Sequence, residues 1–142
     1  MQSQLQSPEV QAFATGFPVT LLHASVTLVM LVLGTALYAL MTPHKEITLI
    51  REGNSAAALS LGGVMVGLAI PLSVSLKAST SVIEIAIWGA ATIAVQLLVF
   101  RVTDMVLKGL PERIQEGEIS AAALLVGAKL ATALILAAAV AG

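Results

Sequence analysis

The 142-residue sequence contains no cysteine, and charged and aromatic residues are scarce. Without a thiol the chain can form no disulfide, no cysteine nucleophile and no thiolate metal site. Only 11% of the residues are charged, whereas a soluble domain carries about 25%. Because 58% of the residues are hydrophobic, so few charges cannot build a water-facing surface, and lipid must cover much of the protein.

Motifs for catalysis and metal binding are also missing. The sequence has no G-x-S-x-G, no H-E-x-x-H, no P-loop and no cluster of acids that would suit a metal. His23 and His44 are far apart, and neither accompanies a second ligand motif. The net charge of -1 argues against a nucleic-acid partner. We therefore expect no enzyme, no cofactor and no metal ion.

Long apolar runs are the main feature that the sequence does have. A membrane-spanning helix needs about 20 mostly apolar residues, and four stretches qualify: residues 17–41, 55–76, 82–104 and 119–141. Residues 1–16 form a polar tail without Lys or Arg, so we expect the first run to be kept as a span and not removed as a signal peptide. The sequence predicts an all-α membrane protein with four transmembrane helices, surrounded by the lipid bilayer.

Positive charge is concentrated on one side of these spans. That side carries Lys45, Arg51, Arg101, Lys108 and Arg113, and the opposite side has only Lys77. Such a bias places both charged loops in the cytoplasm and both termini outside.

Each charged loop contains the signals of a short helix. Thr42-Pro43 is typical of a helix start, and Gly53 can end the turn. Leu110-Pro111 through Gly117 repeats the arrangement. Short helices on the inner membrane surface and solvated loops are the two interpretations.

The sequence also suggests an internal duplication. Ser55–Leu59 recurs as Ser120–Leu124 after a shift of 65 residues, each time following a polar loop with Glu-Gly. Two spans per unit make the units parallel, with residues 17–76 as the first two-helix repeat and residues 77–142 as the second. Chance similarity between Ala-rich helices is the alternative.

Several short motifs resemble the YjfL-like family of small bacterial inner-membrane proteins. They are Thr42-Pro43-His44-Lys45-Glu46, Asn54-x-Ala56-Ala57-x-Leu59, Gly67-x-x-Ile70-Pro71-Leu72-Ser73, Trp88-Gly89 and Gln96-Leu97-Leu98-Val99-Phe100. The resemblance covers nearly the whole chain after residue 16. It implies a multi-pass, four-helix protein of the inner membrane, built from two repeats of a domain of unknown function; the loop charges would then place both termini in the periplasm. It supplies no activity, although some relatives sit among genes for membrane-stress proteins.

Small residues recur at helical spacing in the second and fourth spans. Gly63 and Gly67 form a G-x-x-x-G, and Ala123, Gly127 and Ala131 form a matching stripe. Such stripes let helix backbones approach closely. They predict either packing of the second span on the fourth or the interface of a homo-oligomer. Pro71 is expected to bend or end the second span.

Polar groups inside the spans are the better candidates for function. Lys129 lies near the middle of the fourth span, where a charge costs roughly 2.5–3.5 kcal/mol, and Gln96 is the polar residue nearest to it in depth. Asp104 lies about 16 Å from mid-span at 1.5 Å per residue. We therefore expect Lys129 to meet Gln96 and water or to lose its charge, either as a structurally tolerated lysine or as a residue of a transport pathway. Arg101 and Asp104 can pair on one face of their helix, where they would anchor the inner end of the third span.

Glu84 and His23 form a second candidate set, toward the outer ends of their spans. They could relay protons, or they could face water at the interface, as Trp88 also suggests. Two functions follow from the whole pattern. One is a non-enzymatic component or scaffold in envelope maintenance or stress response, whose cytoplasmic loops dock a cytoplasmic or membrane protein. The other is a small channel or transporter for ions, protons or a small solute.

Overall fold

The computed structural model describes residues 7–42 and 46–142, and these residues are almost entirely helical. Six helices follow one another: α1 (Pro8–Met41), α2 (Glu46–Arg51), α3 (Ser55–Ala78), α4 (Val82–Val106), α5 (Leu110–Gln115) and α6 (Ile119–Ala141). Within the described residues four helices are long and apolar enough to cross a membrane, namely α1, α3, α4 and α6. The predicted all-α membrane fold with four spans is confirmed.

Helix α1 begins nine residues before the apolar run that predicted it. The Ser7 side chain accepts a hydrogen bond from the Val10 amide, and Pro8 and Glu9 occupy the first turn. A Ser cap, a Pro at the first helical position and an early acid together favour a helix start. Part of the expected polar tail is therefore helical, because capping starts a helix independently of hydropathy.

The other long helices agree with the predicted spans to within two residues at each end. Helix α3 continues through Pro71 to Ala78, so the expectation that Pro71 ends the helix is wrong, and a bend there stays a prediction. The ring of Pro71 is buried among neighbouring helices. In a membrane, packing of this kind lets a helix tolerate the lost backbone hydrogen bond.

The most extensive contact in the bundle is between α3 and α6, and α1 packs on α3 and α4. Glycines on α3 allow these contacts. A side chain at Gly63 would collide with Val126 of α6, and one at Gly67 would collide with the ring of Phe100 on α4. The expected packing of the second span on the fourth therefore occurs through Gly63.

The fourth span uses a different face for this contact from the one expected. Ala123, Gly127 and Ala131 are exposed, and nothing lies within 4 Å of a side chain built at Gly127. The buried face of α6 is instead formed by Ala121, Ala122, Leu125, Lys129, Ala133 and Ala137. Because α6 is rich in alanine on every side, small-residue spacing alone did not distinguish its packed face from its outer face.

The two short connectors are helical, as one of the two interpretations held. Each is followed by a glycine in the left-handed region, Gly53 with φ 91° and Gly117 with φ 87°, where other residues are strained. The proposed start at Pro43 lies outside the described residues. Each half of the chain thus runs long helix, six-residue helix, long helix, whereas the duplication itself stays a prediction.

The connectors are fixed to each other by Asn54. Its side-chain oxygen caps α3 by accepting from the Ala57 amide, and its side-chain nitrogen donates to the carbonyls of Ile114 and Gln115 at 2.9 and 3.1 Å. Ile114 is buried in a cluster with alanines of α3 and α6. The end of the bundle that carries most of the positive charge is therefore an ordered surface.

Candidate functional site

A buried ion pair joins α4 and α6 inside the bundle. The Lys129 Nζ lies 2.9 Å from Asp104 Oδ1. The Tyr38 hydroxyl of α1 donates to Asp104 Oδ2 at 2.8 Å, and the Lys129 ammonium donates to the same hydroxyl. Three spans therefore meet at one set of polar atoms, which we call the Tyr38–Asp104–Lys129 cluster.

The cluster is closed to solvent. Lys129 is 0% exposed and Tyr38 is 1% exposed, and the side chain of Asp104 is 8% exposed. Isolated charges cannot stay in such a position, but a pair with good geometry and further hydrogen bonds can. The hydroxyl of Tyr38 supplies those further bonds, because it donates to the carboxylate and accepts from the ammonium.

Aromatic rings form the wall on one side of the ammonium. Lys129 Nζ lies 4.4 Å from the centre of the Tyr38 ring and 5.5 Å from that of Phe100, distances that give cation–π attraction. The two rings meet edge to face, with their centres 6.1 Å apart. Gly67 makes the space into which Phe100 fits, so the packing of α3 on α4 also shapes the cluster.

The first connector contributes a further acidic residue to the interior. Glu46 is 1% exposed at the start of α2. An acidic side chain of the connector is therefore packed inside the bundle.

Gln96 continues the polar face of α4 beyond the cluster. Residues 96, 100 and 104 are four apart and thus share one face of the helix. Gln96 is 0% exposed, and neither atom of its amide has a hydrogen-bond partner among the described residues. One turn further along the same face lies Thr92, which is also buried. Polar groups thus extend from the cluster toward the opposite end of α4.

Two of the arrangements considered for these residues do not occur among the described residues. Lys129 pairs with Asp104 and makes no hydrogen bond to Gln96, and no ion pair within residues 7–42 and 46–142 joins Asp104 to Arg101. The alternative that Lys129 loses its charge stays a prediction. The expected separation of Asp104 from mid-span, about 16 Å, was a distance along the helix axis between backbone positions. It underestimated the reach of a lysine stem and a carboxylate that lean toward each other, which is how side chains lean on antiparallel helices.

The sequence reasoning missed Tyr38 altogether. It is the single tyrosine of the chain, and it lies in the last turn of α1, where a tyrosine normally marks the membrane interface. Its depth matches that of Asp104, which is also in the last turn of its helix. Comparing depths of polar residues across all the spans would have brought the two together.

Glu84 and His23 are not joined by a hydrogen bond or an ion pair within the part of the chain that the structure describes. Glu84 is exposed and accepts from the amide and hydroxyl of Thr80 at 2.9 and 3.2 Å. His23 is half-buried on α1. Trp88 is 58% exposed, which is typical of a residue in an interfacial belt.

The charged residues expected in the loops lie at the connector end. Arg51 and Lys108 are exposed, and Arg113 pairs with Glu118. Lys45 lies outside the described residues. Since most of these side chains are solvated, they form no closed binding site by themselves.

Comparisons with known proteins agree with this architecture. Residues 12–140 match the model of a family described as DUF350, a domain of unknown function. The chain is 34% identical over 85 residues to the UPF0719 inner membrane protein YjfL of Escherichia coli (strain K12), and to the protein of the same name in Escherichia coli O157:H7. The aligned segment covers 60% of this chain and 64% of each relative. No solved structure gives a significant match.

Proposed function

From the premise that this chain belongs to the DUF350 family, we propose that it is a small proton-translocating protein of the bacterial inner membrane. The location follows that of its relatives, which are named as inner membrane proteins. Both termini lie in the periplasm in this proposal, because the connectors carry most of the Lys and Arg residues. Proton translocation and the periplasmic placement of the termini are both proposed for the whole protein.

The buried Tyr38–Asp104–Lys129 cluster carries the proposal. A buried ion pair is often no more stable than an apolar packing of the same volume, and ionisable residues inside a membrane bundle mark functional sites, proton relays among them. Here the base, the acid and a hydroxyl that bonds to both are within hydrogen-bond reach of one another. These are the parts that a proton relay needs.

A proton fits this site better than a larger ion does. The cluster and Phe100 are fully or almost fully buried, so a hydrated ion has no space beside them in this conformation. A proton needs only a chain of donors and acceptors. Gln96 and Thr92 are buried polar groups on the side of Phe100 away from the cluster, and in this proposal a proton reaches the cluster past them.

The proposed cycle moves one proton across the cluster. The Asp104 carboxylate takes up a proton from one side and forms an O–H bond, which breaks the ion pair. The Lys129 ammonium then releases a proton to the other side and becomes a neutral amine. Transfer of the Asp104 proton to that amine, through the Tyr38 hydroxyl, restores the starting charges.

Liposomes that contain the purified protein and a trapped pH indicator test this proposal. A potassium gradient with valinomycin drives proton entry, and the wild type should acidify the lumen several-fold faster than empty vesicles. The double variant Asp104→Asn with Lys129→Met removes both titrating groups together and so leaves no unpaired charge. Its rate should fall to that of empty vesicles.

Lys108→Met is the matched control, because it removes an exposed lysine at the connector end and should keep the wild-type rate. Thermal unfolding in detergent establishes that each variant is folded. The proposal would be contradicted if vesicles with wild-type protein took up protons no faster than empty vesicles at every pH tested, from acidic to basic. A folded double variant with the wild-type rate would contradict the role of the cluster.

A second candidate function, a scaffold in envelope maintenance or stress response, is supported by a different observation. Asn54 holds the two connectors together and so presents Arg51, Glu52 and Glu112 on an ordered surface. In this proposal a cytoplasmic protein docks on that surface. Cross-linking in intact membranes should then capture one partner with wild type and lose it with Arg51→Gln combined with Glu112→Gln. Equal capture by that variant would exclude docking through these charges.

A further inference from the structure

A cavity of about 210 Å³ lies at the end of the bundle opposite the connectors. It is formed where α3 ends, α4 begins and α6 ends. Its lining residues are Ser75, Ala78, Ser79, Glu84, Trp88 and Val140. None of them belongs to the Tyr38–Asp104–Lys129 cluster, so this cavity is a separate feature of the fold.

Ser75 is a polar residue in the cavity lining, and its hydroxyl has no hydrogen-bond partner among the described residues. The residue is 2% exposed. Buried side-chain polar atoms in folded proteins nearly always have a partner, and leaving one unpaired costs about 1–3 kcal/mol. The Ser75 hydroxyl therefore has an unused capacity for a hydrogen bond at the wall of the cavity.

Glu84 gives the same cavity a negative charge. Its Oε2 accepts from the amide and the hydroxyl of Thr80, and these bonds hold the carboxylate at the start of α4. Within the described residues every hydrogen bond to this carboxylate goes to Oε2, so Oε1 keeps its capacity to accept. Trp88 lies four residues later, on the same face of the helix, and adds an aromatic ring to the lining.

We propose that this cavity binds the ammonium group of a phosphatidylethanolamine headgroup. An ammonium carries three N–H donors, which match the Ser75 hydroxyl and the Glu84 carboxylate, and a tryptophan face attracts a cation. The volume suits a small group and not a whole ligand of drug size. Lys77 is exposed in the last turn of α3, at the same end of the bundle as the cavity, and it supplies a positive charge at that end for a headgroup phosphate.

The depth of the cavity favours a lipid over a soluble amine. Its lining residues lie at the ends of three membrane-spanning helices, and an exposed tryptophan is typical of the headgroup level. A phospholipid is already held at that level by the bilayer, so it loses less translational entropy on binding than a soluble amine does. The site does not depend on proton translocation.

Nanodiscs containing equal parts of phosphatidylethanolamine, phosphatidylglycerol and phosphatidylcholine provide the test. The full-length protein is extracted gently, and the lipids that remain bound are counted by native mass spectrometry. Wild type should retain phosphatidylethanolamine several-fold over its share. Glu84→Gln and Ser75→Ala should each return the ratio to that of the bulk lipid, and Glu52→Gln, an exposed acid at the connector end, should keep the wild-type ratio.

Stability provides a second measurement that a merely structural serine would not reproduce. In detergent without phosphatidylethanolamine, Ser75→Ala should be at least as stable as wild type, because it removes an unpaired hydroxyl. Adding phosphatidylethanolamine should raise the melting temperature of wild type by several degrees through ligand binding, but not that of Ser75→Ala. An equal rise in both proteins would overturn the proposal.

The source of the ammonium is tested with glycerophosphoethanolamine, which is the headgroup without its acyl chains. Calorimetry in discs of phosphatidylglycerol alone should detect no binding at millimolar concentration, because this soluble group lacks the placement that the bilayer provides. Binding as tight as that of the lipid would overturn the assignment to a lipid. Unselective lipid retention by the wild type would overturn the site itself.

Discussion

At the scale of single residues, Tyr38 is the side chain on which the buried cluster depends most. Its hydroxyl donates to one charged group and accepts from the other, and its ring also faces the ammonium. No other described side chain bonds to both Asp104 and Lys129. The loss of one oxygen atom should therefore affect both ends of the ion pair.

Tyr38→Phe tests this dependence while keeping the aromatic ring and its contact with Phe100. Hydrogen bonds to charged groups contribute about 1.5–3 kcal/mol each, and the variant loses two of them, so the free energy of unfolding should fall by about 3–6 kcal/mol. Denaturation in mixed micelles measures the change. Thr35→Val is the control, because that hydroxyl bonds only to a carbonyl of its own helix, and its effect should stay within about 0.5 kcal/mol. Equal effects of the two variants would show that the Tyr38 hydroxyl has no special role.

At the scale of helices, the glycines of α3 determine which neighbours can approach it. A side chain at Gly63 would lie 2.5 Å from a methyl carbon of Val126, whereas one at Gly62 would meet nothing within 4 Å. Adjacent glycines on one helix therefore have opposite tolerance for a methyl group. Close backbone approach of this kind drives helix association where lipid provides no hydrophobic force.

Gly63→Ala should destabilise the protein, because overpacking costs about 1–3 kcal/mol and the higher helix propensity of alanine returns at most about 1 kcal/mol. Gly62→Ala receives that propensity gain without the clash and should be neutral or slightly stabilising. Melting temperatures of the two variants in the same detergent give the comparison. A Gly63→Ala variant as stable as Gly62→Ala would mean that α6 moves away at no cost.

Hydropathy predicted the helices well because membrane crossing requires long apolar runs, and the bounds of α6 matched those of its predicted span. The packed face of α6 was not predictable in the same way, since alanine occurs on all of its sides. The cluster joins the last turns of α1 and α4 to the middle of α6 through side chains that lean toward each other, and its residues are 66 and 91 positions apart in sequence. Single-sequence spacing contains no information on which side chains meet in this way.

At the scale of the whole molecule, the charges divide the bundle into two unlike ends. The connector end carries Arg51, Lys108 and Arg113, and the opposite end carries Lys77 and Glu84. Nearly all of the positive charge outside the membrane-spanning core is thus on the connector side. This asymmetry is the physical basis of the proposed orientation.

Single-cysteine variants test that orientation directly, because the natural chain has no cysteine to give background. Ser3→Cys should react with a membrane-impermeant maleimide added to the periplasmic side of intact spheroplasts. Glu116→Cys, on the connector after α5, should react only after the membrane is opened. The reverse pattern would invert the protein, and labelling of both sites from one side would exclude four spans.

The length of α1 has a consequence for how the protein is held in the bilayer. Its 34 residues extend about 51 Å at 1.5 Å per residue, and at a typical tilt of about 20° they still reach about 48 Å along the normal. The hydrocarbon layer is only about 30 Å thick. About 18 Å of helix, counted over both ends, therefore lies outside that layer. The stacked rings of Phe13 and Phe17 are in the N-terminal part of the helix, where they resist movement of the bundle toward the connector side.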